Sequence, residues 1–420
     1  MTQDCYDNYS RILRSELIPA MGCTEPIAIA LAAAKAREVL GCLPEKIVAR
    51  CSGNIIKNVK SVTVPNSGGE HGIEAAAVLG AVAGRADLNL QVISEVSEEE
   101  IRLTKELLLK RICSCELEEG RENLYILITV SAGEETASVE LKNRHDHISR
   151  ITKNGEVVFE QPEIRQEEKG DKSRLNLKDI MEYADTVDLD EIRDLLETQI
   201  SYNSAISEEG LTHRWGAGVG RTILDAEGAG VLQRARAAAA AGSDARMNGC
   251  PMPVVINSGS GNQGITCTMP VLTYAKALGC SHEKLLRALT LSNLVSLHQK
   301  RYIGNLSAYC GAVSAATGAA CGIAYLQDAD YDTLGRTIIN SIGTTGGIIC
   351  DGAKSSCASK ISAAVEAGIL GYEMAKRGEY FRDGEGIVSG DYEQTIRNIG
   401  CVGRDGMKST DITILNLMIS

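Results

Sequence analysis

The chain has 420 residues, 44% of them hydrophobic and 23% charged, the balance of an ordinary soluble globular protein and more chain than one small core needs. A formal net charge of −12, with no block of five or more basic residues, excludes a nucleic-acid-binding surface. Only 4% of residues are aromatic against 42 glycines, so close backbone approach rather than bulky side chains must fill the interior.

The first residues, MTQDCYDNYS, show neither a basic start nor an apolar stretch, so no signal peptide is expected and the location expected is cytoplasmic. In a reducing compartment the fourteen cysteines are core residues, redox thiols or metal ligands rather than disulfides. Residues 5–18 read as an amphipathic helix, with Tyr9, Ile12, Leu13 and Leu17 on one side, ending at Pro19. Met21 to Pro26 then opens an alanine-rich helix reaching about Leu40. Thr24 or Glu25 is the expected cap, and Pro26 fits a first turn where its missing N–H does no harm. Cys23 therefore sits just before a helix N-terminus, where partial positive charge favours the thiolate. A small buried residue after a glycine is the plainer alternative.

From 45 to 160 the pattern alternates. KIVARCSG and LNLQVISEV look like strands, and residues 71–83 and 97–112 look like helices. LYILITVS, TASVELK, HDHISRIT and EVVFE follow with short polar breaks, which predicts an antiparallel run. The loop VPNSGGEHG at 64–72 presents backbone N–H groups of Asn66, Ser67, Gly68 and Gly69 near a helix start, a common way to hold a carboxylate. His71, in that loop, is the histidine of most interest. His145 and His147 alternate on an expected surface strand and read as solvated. Cys113 and Cys115 would share one face of a strand and read as structural. The charged, turn-rich run 161–176 is the expected linker, dividing the chain into an α+β domain at 1–170 and a helical domain at 171–420.

Beyond 177 the periodicity is helical, interrupted twice. The uncharged run 302–327 is long enough to span a bilayer, but its Gly, Ala and Ser content predicts a buried central helix instead. The first interruption, 248–270, carries SGSGNQG, whose Ser258 and Gly259 backbone with the side chains of Asn262 and Gln263 could hold a carboxylate or phosphate. The second, Ser341 to Cys357, carries Cys350 and Cys357 around Asp351-Gly352. On one continuous helix those cysteines would stand roughly 10 Å apart. A turn at Asp351-Gly352 can instead fold both thiols toward one point, with Cys310 as a third donor among small residues. Pyridoxal phosphate is disfavoured: no lysine lies between Lys178 and Lys276, and no run exceeds two glycines. Zinc and an iron–sulfur cluster both stay open, since neither close CxxC pairs nor the CxxCxxC spacing of ferredoxins is present.

GCTEP at 22–26, NSGGEHG at 66–72, SGSGNQG at 258–264, Cys310 and Cys350-x6-Cys357 occur in that order. Together, and over nearly the whole chain, they resemble the iron–sulfur L-cysteine desulfidase family, the serine dehydratase α-like proteins. The resemblance implies a [4Fe–4S] cluster held by Cys310, Cys350 and Cys357, with Cys23 as a further essential thiol, either base or resting fourth ligand. It implies α,β-elimination of L-cysteine to pyruvate, ammonia and sulfide, with His71 a second acid–base candidate. Thr24, Glu25, Asn66, Ser67, Gly68, Gly69, Ser258, Gly259, Asn262 and Gln263 would orient the substrate. Related serine dehydratases end in a cysteine that caps the cluster; this sequence ends in Ser420, and Cys321 reads as packing. L-Serine dehydration is the alternative reaction. A non-catalytic redox or iron sensor is the alternative outside enzymes, but no basic recognition helix accompanies the thiols. The expected partners are a small amino-acid substrate and a second copy of the chain, with no nucleic acid and no membrane.

Overall fold

Alternating burial builds the first layer. The computed structural model describes residues 1–161, 169–304 and 306–419; residues 162–168 of the expected linker and Ser420 lie outside them. Ile47, Ala49 and Cys51 of β2 (Lys46–Cys51) point the same way as Ile126, Ile128 and Val130 of β4 (Tyr125–Ala132) and Ala137, Val139 and Leu141 of β5 (Glu135–Lys142). All are buried, as a period of two requires of a half-covered sheet. The sheet has six strands in the order β3-β2-β4-β5-β6-β7, with β3 at Cys113–Leu117, β6 at Ile148–Lys153 and β7 at Glu156–Glu160. Only β2 and β3 pair in parallel, because helices intervene between them; the others are antiparallel. Asn154 and Gly155, both at positive φ, make the two-residue turn joining β6 to β7.

Behind the sheet lies α2 (Thr24–Leu40), buried nearly all round, which explains a composition with no polar face. It follows α1 (Gln3–Glu16) and the short β1 (Pro19–Met21), and precedes α3 (Gly53–Val59), α4 (Gly72–Ala83) and α5 (Glu98–Leu109). A Cβ on Gly80 of α4 would lie 2.4 Å from the Ala30 carbonyl of α2, so the two helices meet backbone to backbone. Cys23, not Thr24 or Glu25, is the N-cap of α2. Two strand expectations are corrected. The expected strand 88–96 is a 3-10 turn over Ala86–Gln91 followed by bends, where Asn89 at positive φ breaks the extended path. His145 and His147 precede β6 instead of alternating along it, and at 6% and 5% exposure they are buried, not solvated.

The second half is helical as expected, giving an α+β fold. It comprises α6 (Leu177–Thr186), α7 (Arg193–Thr212), α8 (Val219–Glu227), α9 (Val231–Met247), the short β8 (Pro253–Val255), α10 (Gly261–Leu278), α11 (His282–Ile303), α12 (Gly311–Leu326), α13 (Tyr331–Thr345), α14 (Cys357–Ala375), α15 (Tyr392–Cys401) and α16 (Lys408–Ile419). Of the run 302–327 only Gly311–Leu326 forms the buried α12, Tyr302 and Ile303 closing α11 before it, and no helix among the described residues is long and apolar enough to cross a membrane. A Cβ on Gly264 would stand 1.9 Å from the Val255 carbonyl; glycine there lets α10 lie directly on β8.

The chain start is stitched into this helical half. β1 pairs antiparallel with β8, Pro19 opposite Val255 and Met21 opposite Pro253. On α1, Asn8 donates to the Asp171 carbonyl (3.1 Å), Tyr9 to that of Arg174 (3.0 Å), and Ser10 bonds Tyr183 (2.7 Å). One contiguous apolar core runs through both halves.

Candidate active site

Three local devices bring distant residues to one place. Tyr309 and Ile349 form an isolated antiparallel bridge, flanked by bonds from Cys310 N to the Ile348 carbonyl (3.1 Å) and from Cys350 N to the Ala308 carbonyl (2.6 Å). That bridge sets Cys310 beside Cys350. Past Cys350 the chain turns at Gly352, whose φ of +93° suits glycine and whose Cβ would meet the Lys57 carbonyl at 2.3 Å. Asp351 is clamped by Lys354 (2.5 Å) and Lys360; burial would raise its carboxyl, yet the two lysines hold it down to about 2. The turn delivers Cys357 to the start of α14. Finally, Thr24 donates its hydroxyl to the Gly259 carbonyl (2.8 Å), tying GCTEP to SGSGNQG across 235 residues.

The result is one cavity of about 100 Å³, at the junction of the two halves. Of the residues expected from the sequence, Cys23, Glu25, Ser258, Gly259, Asn262, Gln263, Cys310, Cys350 and Cys357 line it, with Thr24 directly behind. The loop 66–72 does not reach it. Asn66 donates to the Ile93 carbonyl (2.8 Å), Ser67 to that of Val64 (2.7 Å), and the Gly68 carbonyl accepts from Lys105 (2.9 Å). Gly69 is exposed. Pro65 packs so closely on Gly22 that a Cβ there would stand 2.2 Å away, so this loop braces the GCTEP turn from outside. His71 is exposed and bonded to Thr63 (3.0 Å), and it is not among the residues that line the cavity.

Sequence reasoning missed Asn58, His145, Arg246, Lys300 and Tyr309, which also line the cavity. A signal existed for Arg246: an arginine on an alanine-rich helix whose last dozen residues are all buried is out of place unless it meets something. His145 had none, because nothing in KNRHDH shows that the connection folds inward.

Electrostatics runs against a free thiolate at Cys23. Burial, reinforced by the Glu25 carboxylate, pushes its thiol well up, so it stands as a protonated donor to Glu25 (3.0 Å) despite its place before a helix. Burial works against the Glu25 carboxylate, yet the charge His145 carries when protonated and the Cys23 hydrogen bond favour the ionised form and put it below the ordinary carboxylate range, and Asn58 donates to it as well (2.9 Å). Burial lowers the His145 imidazole; its Nε2 lies 3.9 Å from Glu25 and has no hydrogen-bond partner among the described residues. Lys300, also buried, comes down to about 8, with Cys350 and Cys310 opposing the fall.

The thiol wall suits a polynuclear group. Burial and the neighbouring Cys350 push Cys310 up to about 12, and burial raises Cys357; a cationic group bound between them would favour their thiolates. Among the described residues no three His, Cys, Asp or Glu converge so as to hold one metal ion. Three sulfur donors on one wall of the cavity are the ligand type that iron–sulfur clusters take. Around the same space the buried Asn58 Oδ1, Ser258 Oγ, Asn262 Oδ1, Gln263 Oε1 and Tyr309 hydroxyl have no hydrogen-bond partner among the described residues. Native folds rarely leave buried polar atoms so, and their clustering marks a place where a polar ligand binds.

Comparison with known proteins agrees on the chain as a whole. The model of a family described as the serine dehydratase alpha chain matches residues 87–416. The chain is 52% identical over 414 residues to a UPF0597 protein of Finegoldia magna, covering 98% of this chain and 99% of that protein. It is 49% identical over 417 residues to one of Desulfitobacterium hafniense, covering 99% and 97%. A third, from Lachnoclostridium phytofermentans, is 48% identical over 416 residues, covering 99% and 100%.

Proposed function

The chain belongs to the serine dehydratase alpha chain family, and on that premise we propose that it is a lyase acting on a small β-substituted α-amino acid, L-cysteine first, with a [4Fe–4S] cluster held by Cys310, Cys350 and Cys357. The observation that carries this reading is the meeting of those three thiols with Cys23, Glu25 and His145 in one cavity. When bound, the cluster supplies a Lewis-acidic iron for a leaving group that departs poorly by itself.

The chain's own residues supply the proton chemistry. His145, neutral through burial, takes the α-proton on Nε2, and the Glu25 carboxylate 3.9 Å away stabilises the imidazolium that forms. Cys23 donates its S–H to Glu25 and holds that carboxylate in place; acting as a base itself would first require giving up this proton. Asn262 and Gln263, at the start of α10, carry unpartnered oxygens suited to the substrate's ammonium group. The α-proton and the β-thiol leave as H⁺ and HS⁻, and the aminoacrylate product tautomerises and hydrolyses to pyruvate and ammonia. The family's description favours L-serine as the second substrate, with hydroxide leaving in place of HS⁻.

Purification without oxygen, followed by iron, sulfide and pyruvate assays, tests the reading. The expected protein is brown, carries about four irons per chain, and releases pyruvate from L-cysteine faster than from L-serine. Air should bleach it and abolish turnover together. A colourless, zinc-loaded protein with full activity overturns the cluster, and no pyruvate from either amino acid overturns the lyase.

A further inference from the structure

Arg246 heads the largest fully buried side chains of the protein, at 2% exposure on α9. Its guanidinium lines the catalytic cavity beside Cys23, Glu25, His145 and Ser258. Among the described residues no carboxylate lies within ion-pair distance, and Nε has no hydrogen-bond partner. Glu25 is near enough to feel its charge but is engaged by Cys23 and Asn58. A buried cation without a counter-ion is among the costliest features a fold can carry, and it persists where a ligand completes it. The surroundings make room for that cation. A Cβ on Gly261 would stand 2.3 Å from Nε and 2.8 Å from Cζ, so glycine at the first turn of α10 is what lets the guanidinium lie against the helix start.

We propose that Arg246 is the carboxylate anchor of the site, taking the α-carboxylate of the substrate through its planar fork of donors. That the anion is an amino acid rests on the lyase reading; that the cavity demands an anion does not. With the carboxylate on Arg246, beside Gly259 and the imidazole of His145 that abuts it, the α-carbon lies within reach of the base and the β-substituent is left for the cysteine wall. The site then selects for a free carboxylate, and amides or esters of the same amino acid are poor substrates.

Two measurements on protein purified without oxygen test this. First, pyruvate as a probe should raise the melting temperature of the wild type saturably and leave Arg246→Gln unmoved. The ligand-free variant should melt no lower than the wild type, since it loses an unpaired buried charge. Second, the wild type should prefer L-cysteine to its amide by about 100-fold in kcat/KM, from the charge-assisted bonds made only to the acid, and Arg246→Gln should shrink that preference to about 3-fold or less, chiefly through KM. Arg246→Lys, which keeps the charge but not the fork, should fall between them. Undiminished pyruvate binding by Arg246→Gln, or a ligand-free variant that melts well below the wild type, overturns the proposal in favour of a structural role. If the wild type turns over no amino acid, the lyase reading fails by itself, and the pyruvate arm still decides Arg246.

Discussion

Cys23 shows how burial can reverse what position alone implies. A thiol before a helix N-terminus leans toward ionisation, but here desolvation and the Glu25 carboxylate push it the other way. The proton-accepting role passes to His145, and pH dependence follows from its surroundings. Burial, aided by Arg144 and Arg246, holds the folded imidazole below its ordinary value of 6.5, while Glu25 and Asp146 oppose this. The neutral base is therefore present throughout the neutral range and is lost only as pH falls through the lowered value. The acid limb of kcat/KM is expected below about pH 6.5, and a limb centred above 7 would assign it to another group. His145→Gln should remove that limb and slow turnover by about 10²-fold or more, whereas His71→Ala should be active at the wild-type level. Among the thiols, Cys23→Ser leaves a hydroxyl to donate to Glu25, and it should keep most of its iron and hold turnover within about 10-fold of the wild type. Changing Cys310, Cys350 or Cys357 to Ser should lose iron and activity together. Iron-free Cys23→Ser would make that thiol a ligand.

At the scale of elements, two loops of similar glycine-rich composition do different work. SGSGNQG runs straight into a long helix whose first turn faces the cavity, so Asn262 presents its side chain to the ligand. NSGGEHG also precedes a helix, but it bends away at Asn66, whose φ of +57° is fixed by a side-chain bond to the Ile93 carbonyl. Asn262→Ala is expected to raise KM by the loss of a hydrogen bond to a charged group, about 1.5–3 kcal/mol, with the cluster spectrum intact. Asn66→Ala should leave KM unchanged and lower stability by about 1 kcal/mol in chemical denaturation. Equal effects of the two changes on KM would return the 66–72 loop to the site.

For the molecule as a whole, the cavity exists only where the halves meet. Cys23, Glu25, Asn58 and His145 come from the sheet half, while Arg246, the 258–263 loop and the three-thiol wall come from the helical half. The β1–β8 pair, the hydrogen bonds of α1 to residues 171–183 and the shared core tie the halves together. A structure with one continuous core should unfold as one unit, so circular dichroism and iron release are expected to follow a single coincident transition in denaturant. Two separated transitions would show that each half is stable by itself.

Local chemistry determined a good part of this protein. The period-2 runs gave β2 and β4 to β7, the alanine-rich run after GCTEP gave α2, and the later part of the uncharged run 302–327 gave a buried helix. The turn at Asp351-Gly352 was legible because glycine at positive φ is a property of a few adjacent residues. What no window of sequence could supply was the pairing of distant loops and the sign of burial. Residues 88–96 have the composition of a strand, but no partner edge is left for them beside β2, whose two sides are taken by β3 and β4. His145 looks like one polar residue among several, until the β5–β6 connection folds beneath Gly259 and removes it from water. Cys23 looks ionisable until Glu25 and the helical half close over it. Desolvation and long-range contact depend on what the rest of the chain does, and so the ionisation states and membership of the site were decided by the tertiary structure alone.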